Sequence, residues 1–296
     1  MQKGWSILFG VVLLASLLVW FIAPLLGWWL PESVSSYGGE VDALFFIILG
    51  FTAFFFVLTQ VFLIWAMWRY PAREGAKAHY THGNNRLEMV WTLVPGLILV
   101  FIAFAQIGVW ERMKYISRMP TPDLTVAVLG RQWEWRMRYP ADSTRFQPSE
   151  SDTSAQALRQ ARLWAEIPEA DDLHVANELH VWKGANVRVW VRTQDVLHSF
   201  SLPNLRIKQD TLPGKTIPLW FRAEKANCRF DVGSKQLVEL KAPGERAWEI
   251  ACQELCGGRH YAMRGKFYVH ESEESFRNWL GHIRAQQTSR TVAQAN

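Results

Sequence analysis

Three long apolar segments dominate the first 110 residues of this 296-residue chain. They run over residues 5–30, 43–68 and 89–110, and each is nearly free of charged side chains. A helix needs about 20 apolar residues to cross the hydrocarbon core of a bilayer, and each segment exceeds that length. The sequence therefore predicts three transmembrane helices followed by a region of different character.

The first segment also has one feature of a secretory signal peptide, because Lys3 precedes its apolar run. The run is long, however, and ends in Gly-Trp-Trp-Leu-Pro without a clear small-residue cleavage site. Trp28 and Trp29 suit the lipid interface at a helix end. We predict a membrane helix here, with the signal peptide as the alternative.

The two short connections differ in charge, and this difference predicts the orientation of the helices. The first connection carries Glu32, Glu40 and Asp42, and the second carries Arg69, Arg73, Lys77 and Arg86. By the positive-inside rule the basic connection is cytoplasmic. The N-terminus then lies inside, and the chain after about Glu111 lies outside the cell or in a periplasm.

Short alternating stretches replace the long apolar runs beyond the third segment. Residues 132–139 place Trp133, Trp135, Met137 and Tyr139 on one face, and residues 186–193 place Val187, Val189 and Val191 on one face. With turns at 183–186 and 212–214, this alternation predicts antiparallel strands in a sandwich or small barrel.

Two polar stretches interrupt this pattern and resemble insertions, at about residues 140–176 and 224–243. The first contains a predicted helical piece at 155–164. Its acidic residues could steer a positively charged partner, or belong to a solvated loop. They are Glu166, Glu169, Asp171 and Asp172.

Two cysteines, a histidine and a methionine lie close together near the C-terminus, in Cys252-Gln-Glu-Leu-Cys256-Gly-Gly-Arg-His260-Tyr-Ala-Met263. Thiolates, imidazole and thioether form a soft ligand set that suits copper. We expect one more ligand from His198, which ends an apolar strand ahead of Pro203. A disulfide between the cysteines and a zinc site are the alternatives. The third cysteine, Cys228, has no evident partner and is interpreted as a free thiol.

This pair of motifs resembles the dinuclear copper (CuA) site of the cytochrome c oxidase subunit II family. The resemblance covers about residues 41–139 and 178–281. It implies that two thiolates bridge two copper ions and that each ion takes one imidazole. The implied ligands are Cys252 and Cys256 as bridges, His198 and His260, the Met263 sulfur and the Glu254 carbonyl oxygen.

A second match lies far from the copper motif, in the stretch from His82 to Pro95 that enters the third membrane segment. In the family, the residue matching Glu88 lies near the cytoplasmic mouth of a proton pathway. The resemblance thus implies that Glu88 collects protons. A carboxylate placed in the first turn by the helix dipole is the equal alternative.

Gly130-Arg-Gln-Trp133-Glu-Trp135 also resembles a family motif, whose first tryptophan receives electrons from cytochrome c. The resemblance implies that role for Trp133, and a core aromatic is the alternative. The family usually continues with tyrosines and acidic residues, whereas Arg136 and Arg138 follow here. Docking of a basic cytochrome c is therefore in question.

The stretch from Lys208 to Gly214 resembles the family segment near a magnesium site at the interface with the catalytic subunit. The resemblance implies that the Glu254 side chain binds magnesium and that Asp210 supports the site. Exposed turn residues are the alternative for Lys208 and Asp210.

The resemblance implies a membrane-anchored all-β domain, in which N-terminal transmembrane helices precede a cupredoxin-like Greek-key β-barrel. We expect four regions, which are an additional N-terminal helix with its outer loop (1–40), a two-helix transmembrane hairpin (41–115), the CuA domain with its insertions (116–285) and a polar tail (286–296). The expected location is a bacterial inner or cell membrane.

The sequence has no Cys-x-x-Cys-His motif and no histidine-rich membrane helix, so haem is expected only in partner subunits. The resemblance implies an electron-input subunit that takes electrons from cytochrome c or a similar protein and passes them to haem in subunit I, for oxygen reduction coupled to proton translocation. Expected partners are subunit I, further membrane subunits and lipid, and no nucleic acid. The alternatives are the CuA subunit of a nitric oxide reductase and a membrane-tethered copper-binding or copper-delivery protein.

Overall fold

The structure is a computed structural model, and it describes residues 2–71, 75, 77, 80, 82–142, 146, 154–240 and 247–295. The chain divides into two compact units. One is helical and comprises Met1–Pro31 and Glu40–Val109, and the other is mainly β and comprises Glu32–Gly39 and Trp110–Asn296.

Three long helices account for the helical unit, namely α1 (Gln2–Leu25), α2 (Gly38–Arg69) and α3 (Asn85–Lys114). All three are long and apolar enough to cross a membrane, and their apolar side chains are mostly exposed. Asn84 caps α3, because its Oδ1 accepts the backbone N–H groups of Arg86 and Leu87. Helix α1 ends five residues before the predicted segment does, ahead of a turn at Gly27. Arg73 of the basic connection lies outside the described residues.

Apart from short 3-10 turns, the β unit contains twelve strands and two complete α-helices within the described residues. In chain order they are β1 (Leu124–Arg131), β2 (Glu134–Tyr139), α4 (Ser154–Glu166), β3 (Leu173–Ala176), β4 (Glu178–Trp182), β5 (Asn186–Thr193), β6 (His198–Leu202), β7 (Ile207–Thr211), β8 (Ile217–Arg222), β9 (Cys228–Asp231), β10 (Gln236–Glu239), β11 (Glu249–Cys252), β12 (Arg264–His270) and α5 (Glu273–Ala295).

The strands form two sheets that pack face to face. The first has the order β3-β2-β1-β5-β8, and the second has the order β10-β9-β12-β11-β6-β7 with β4 paired to β12. Rings from both sheets meet in the core, where Trp135 contacts Phe200 at 5.3 Å between centroids and Phe221 contacts Phe267 at 5.7 Å. The predicted β domain is thus confirmed, but its two sheets do not join into a closed barrel within the described residues.

Two features of the strand prediction are wrong. The pairs β1–β5 and β4–β12 are parallel, although only antiparallel strands were predicted. His198 begins strand β6 and does not end a strand. Alternation of side chains reports only which faces are buried, so it carries no information on strand direction.

The first insertion folds onto the outer face of the first sheet. Helix α4 buries Ala161 and Trp164 against Ala127 of β1 and Trp190 of β5. Beneath it, the guanidinium of Arg138 forms a buried ion pair with Asp172 at 2.5 Å. The charges of Arg138 and Asp172 are therefore buried and matched to each other, and neither is available to a docking partner.

Candidate metal centre

The loop between β11 and β12, called the ligand loop below, carries most of the predicted copper ligands. Cys252 is the last residue of β11, and Met263 comes directly before β12. The backbone N–H of Cys252 donates to the carbonyl of Met263 at 3.2 Å, so the first and last predicted ligands of the loop lie side by side at its neck. Adjacent antiparallel strands thereby fold the loop back on itself.

The neighbouring strand β6 adds the histidine from elsewhere in the chain. The register pairs Cys252 with Phe200, and the N–H of Gln253 donates to the carbonyl of Ser199 at 3.1 Å. This pairing brings Nδ1 of His198 within 3.9 Å of Cys252 Sγ. The imidazole is fully buried, so its position is fixed by packing.

The five predicted side-chain ligands converge on the two cysteine sulfurs. The sulfur atoms of Cys252 and Cys256 lie 3.8 Å apart. Cys256 Sγ lies 3.5 Å from His260 Nδ1 and 3.8 Å from Met263 Sδ. The carbonyl oxygen of Glu254, the predicted backbone ligand, lies 3.4 Å from Cys252 Sγ. The structure therefore brings together all six predicted ligand atoms.

The separation of the sulfurs distinguishes a metal site from a disulfide. A disulfide bond measures about 2.05 Å, so these cysteines are free thiols in this structure. Two thiolates at about 2.3 Å from a tetrahedral metal ion stand roughly 3.8 Å apart, which matches the observed separation. The donor set of sulfur and imidazole suits copper, and His198, Cys252 and Cys256 are all buried. The residues present therefore fit a copper site.

Burial, and then the neighbouring Cys252, raise the pKa of the Cys256 thiol. A raised pKa favours the protonated thiol, so copper must displace a proton when the thiolate binds it. The free energy of metal binding thus offsets the desolvation of the thiolate.

Asp195 holds His198 from the side of the ring that faces away from the cysteines. Its Oδ1 lies 2.9 Å from Nε2 of His198, and Oδ2 accepts the backbone N–H of Gln132 at 2.7 Å. Burial would raise the pKa of the Asp195 carboxyl, but the hydrogen bonds from Gln132, His198 and Val196 outweigh it and lower that pKa. Asp195 had no predicted role, although its position three residues before His198 was the available signal.

Trp133 lies in the tight turn between β1 and β2, next to the ligand loop. The side-chain amide of the adjacent Gln132 donates to the carbonyl of Cys256 at 2.9 Å. A β-carbon at Gly257 would lie 3.4 Å from Cζ2 of Trp133, and Gly257 has a φ of +114°. Of the four residues predicted on one strand face, only Trp135, Met137 and Tyr139 are fully buried, whereas Trp133 is half-buried.

A second glycine gives the buried imidazole its space. A β-carbon at Gly130 would lie 3.1 Å from Cδ2 of His198 and 3.0 Å from Cζ3 of Trp135. A side chain at this position would have to push the two rings by a few tenths of an ångström, so glycine favours the close approach of strand β1 to the imidazole. The indole of Trp135 then packs edge-on against His198, with centroids 6.0 Å apart.

The other predicted site residues, Glu88 and Asp210, lie on different elements of the structure. Glu88 is exposed in the first turn of α3. Asp210 lies on β7 opposite Ser199, and its Oδ1 lies 3.9 Å from Nζ of Lys208. Within the described part of the chain, Asp210 and Glu254 join no cluster of three metal-ligating side chains.

Comparison with known proteins gives two family matches. Residues 23–109 match "Cytochrome C oxidase subunit II, transmembrane domain", and residues 124–240 match "Cytochrome C oxidase subunit II, periplasmic domain". The first match starts near the end of α1, and the second stops before the ligand loop.

Individual proteins are similar over most of their length. The chain is 30% identical to "Cytochrome c oxidase subunit 2" of Cereibacter sphaeroides over 77% of this chain and 71% of that protein. It is 27% identical to "Alternative cytochrome c oxidase subunit 2" of Bradyrhizobium diazoefficiens, over 86% of this chain and 83% of that protein. A solved structure of the periplasmic domain of subunit II from Bradyrhizobium japonicum is 22% identical, with a TM-score of 0.39, over 57% of this chain and 98% of that one.

Proposed function

The chain belongs to the cytochrome c oxidase subunit II family, and we propose that it is the electron-input subunit of a haem-copper oxidase. In this proposal it takes single electrons from cytochrome c or a similar redox protein at a dinuclear copper (CuA) centre. It passes them to haem in subunit I, where oxygen is reduced and protons are translocated. Its β sandwich is proposed to be of the cupredoxin-like Greek-key type.

The observation that carries the proposal is the convergence of six ligand atoms, five from the loop between β11 and β12 and one from His198 of β6, around two buried cysteines. Cys252 and Cys256 would bridge two copper ions, and His198 and His260 would each bind one ion. The Met263 sulfur and the Glu254 carbonyl would complete the ligand set. When bound, the copper pair supplies a one-electron redox centre whose charge is shared between two ions.

The role of the protein in this function is to keep the ligands in place. Strands β6, β11 and β12 fix the ends of the ligand loop, and the hydrogen bond from Gln132 holds the carbonyl of Cys256. Asp195 orients His198, and the adjacent Trp135 restricts its ring. A site held in this way moves little when its charge changes, which favours fast electron transfer.

Trp133 is proposed as the residue where electrons enter. Its half-buried indole is close to Gly257 in the ligand loop, so it lies between the solvent and the copper ligands. Exposed Leu255 and Tyr261 extend an apolar surface on the same loop. Of the two arginines of β2, Arg138 is neutralised by Asp172. Only Arg136 of these two is left to influence the docking of a basic donor, and it pairs with Glu134 at 2.6 Å.

The proposal also includes the orientation of the helices in the membrane and a magnesium site. The N-terminus is cytoplasmic and the β unit lies outside, as the basic residues Arg69 and Arg86 support. Glu88 would then collect protons at the cytoplasmic side of α3. The side chain of Glu254 would bind magnesium at the interface with subunit I, with Asp210 nearby on β7.

Copper stoichiometry and electron paramagnetic resonance of the full-length chain in detergent test this function. Two copper ions that share one unpaired electron are the expected result. The Cys228→Ser variant is the control, because Cys228 lies buried on β9, outside the ligand loop. A single copper ion, or a spin localised on one ion, would instead favour a copper-binding or copper-delivery protein. Copurification with a haem subunit that reduces nitric oxide would favour the reductase.

A further inference from the structure

A cavity of about 130 Å³ lies between the insertion helix α4 and the start of strand β1. Its walls come from three parts of the β unit, which are the segment before β1, helix α4 with Phe146, and Arg188 of β5. The apolar walls include Ile116, Met119 and Leu158. The space equals roughly four water molecules at about 30 Å³ each.

Two polar side chains form the floor of this cavity. Thr125 of β1 and Arg188 of β5 are direct partners in the parallel register, so their side chains leave the sheet on the same face. Both line the cavity. Both are also deeply buried, with 2% of Thr125 and 7% of Arg188 exposed.

Neither side chain has its full set of hydrogen bonds among the described residues. The Nη2 of Arg188 donates to the carbonyl of Pro120 at 2.7 Å. In the part of the chain that the structure describes, its Nε and the hydroxyl of Thr125 have no hydrogen-bond partner. No carboxylate of the described residues forms an ion pair with this guanidinium, which keeps its charge even though burial lowers its pKa.

Arg138, the other buried arginine under the same insertion, has the negatively charged partner that Arg188 lacks among the described residues. Arg138 leaves the sheet on the face that carries Ala127, and its charge is matched by the carboxylate of Asp172 at 2.5 Å. Buried charges in proteins are generally paired and hydrogen-bonded. Among the described residues Arg188 contacts a neutral carbonyl and no carboxylate, so an anion is the group that the site lacks.

We propose that this cavity binds a small carboxylate-type oxyanion of the size of acetate or bicarbonate. One of its oxygen atoms accepts the Nε–H of Arg188, and another accepts the hydroxyl hydrogen of Thr125. The apolar walls offer room for a methyl group or a bare edge of the anion. The bound anion fixes α4 to the sheet, because α4 and the floor residues both line the cavity. This site is independent of the proposed copper function.

Thermal unfolding of the full-length chain in detergent tests the proposal. Sodium acetate or sodium bicarbonate replaces sodium chloride at constant ionic strength and neutral pH. A saturable rise of the unfolding midpoint is expected for the native chain with one or both anions, and a rise with only one identifies the ligand. Line broadening of isotope-labelled acetate and bicarbonate in nuclear magnetic resonance reports binding directly.

Three variants separate the cavity from the general effect of charge. Arg188→Met is expected to remove the response, and Thr125→Val is expected to weaken binding about tenfold, as loss of one charge-assisted hydrogen bond predicts. Arg192→Gln is the matched control, because Arg192 lies further along β5 on the same face and does not line this cavity. It should keep the full response. If Arg188→Met does not fold, the response of Thr125→Val to the anion alone tests whether binding occurs in the cavity.

Three results would overturn the proposal. One is the absence of any saturable response in the native chain, and another is an equal response in Thr125→Val and the native chain. Residues 147–153 lie outside the described part of the chain and include two carboxylates, Glu150 and Asp152. A response seen only in Glu150→Gln or Asp152→Asn would assign the cavity to the chain's own side chain and would also overturn the proposal.

Discussion

The carboxylate of Asp195 lies 2.9 Å from Nε2 of His198, on the side of the imidazole opposite the cysteine sulfur. If Nδ1 held a copper ion, Nε2 would carry the hydrogen and donate it to Asp195. The carboxylate thereby fixes both the tautomer and the orientation of the ring.

Substitution of this carboxylate is expected to weaken copper binding without unfolding the loop. In Asp195→Asn the side chain keeps its shape but loses its charge, and copper affinity should fall about tenfold. Competition with a copper chelator measures the affinity. Glu249→Gln is the control, because Glu249 pairs with Arg264 on the surface, and it should bind copper as the native chain does. Equal affinity of Asp195→Asn and the native chain would remove Asp195 from the site.

Loss of a bridging thiolate should abolish the dinuclear centre. Cys256→Ser removes the sulfur that contacts Cys252, His260 and Met263, so the copper spectrum and turnover of the complex should both disappear. The membrane helices should still assemble, as subunit association reports. Cys228→Ser should retain both spectrum and turnover. Normal turnover of Cys256→Ser would refute the ligand assignment.

Electron entry through Trp133 predicts a narrower defect. Trp133→Phe should slow electron entry from the donor while the copper spectrum stays unchanged, because the indole lies beside Gly257 of the ligand loop but is not a predicted metal ligand. Rapid mixing of reduced donor with the oxidised complex measures the entry rate. The matched variant Trp110→Phe changes an exposed tryptophan near the end of α3 and should leave that rate unaltered. An unchanged rate in Trp133→Phe would make Trp133 a packing residue.

The two arginines of β2 should differ sharply in their contribution to stability. Arg138→Met leaves the carboxylate of Asp172 buried and unpaired, and this should cost about 3–5 kcal/mol in the free energy of unfolding. Arg136→Met removes an exposed pair with Glu134 and should cost about 0–1 kcal/mol. Chemical denaturation followed by tryptophan fluorescence measures both values. Similar losses in the two variants would contradict the buried pairing.

A buried histidine pair beneath α5 should make the β unit sensitive to acid. His180 Nδ1 lies 3.1 Å from His270 Nε2, and His270 Nδ1 lies 3.0 Å from the hydroxyl of Ser275. Burial, and then the charge of His180, lower the pKa of His270 to about 3. The unfolded state, with a histidine pKa of about 6.5, takes up protons first as the pH falls.

The stability that depends on neutral His270 is therefore complete above about pH 6.5 and is lost between that value and about pH 3. Unfolding experiments across this range should give a steeper loss for the native chain than for His270→Gln. The exposed His82 provides the control, and His82→Gln should keep the native slope. Equal slopes for all three chains would show that His270 does not govern the acid response.

The sequence alone determined the features that depend on neighbouring residues in the chain. Apolar length predicted the three membrane helices, although α1 ends five residues earlier than predicted. The spacing from Cys252 to Met263 predicted a compact ligand loop, because a short loop between two paired strands cannot spread its side chains far apart. The helix in the first insertion followed from local composition, and α4 spans Ser154–Glu166.

Tertiary structure alone decided the contacts between distant segments, because these depend on sheet order and register. His198 was already a predicted ligand of the cysteine loop, but the register of β6 against β11 is what brings it to Cys252. The parallel pairing of β1 with β5 puts Thr125 beside Arg188, which nothing in the sequence indicated. Alternation of apolar residues fixes neither a partner strand nor its direction, so it could not reveal these contacts. The burial of Arg138 against Asp172 had no local signal either, since the charge of an arginine in the sequence is the same whether the fold exposes it or encloses it.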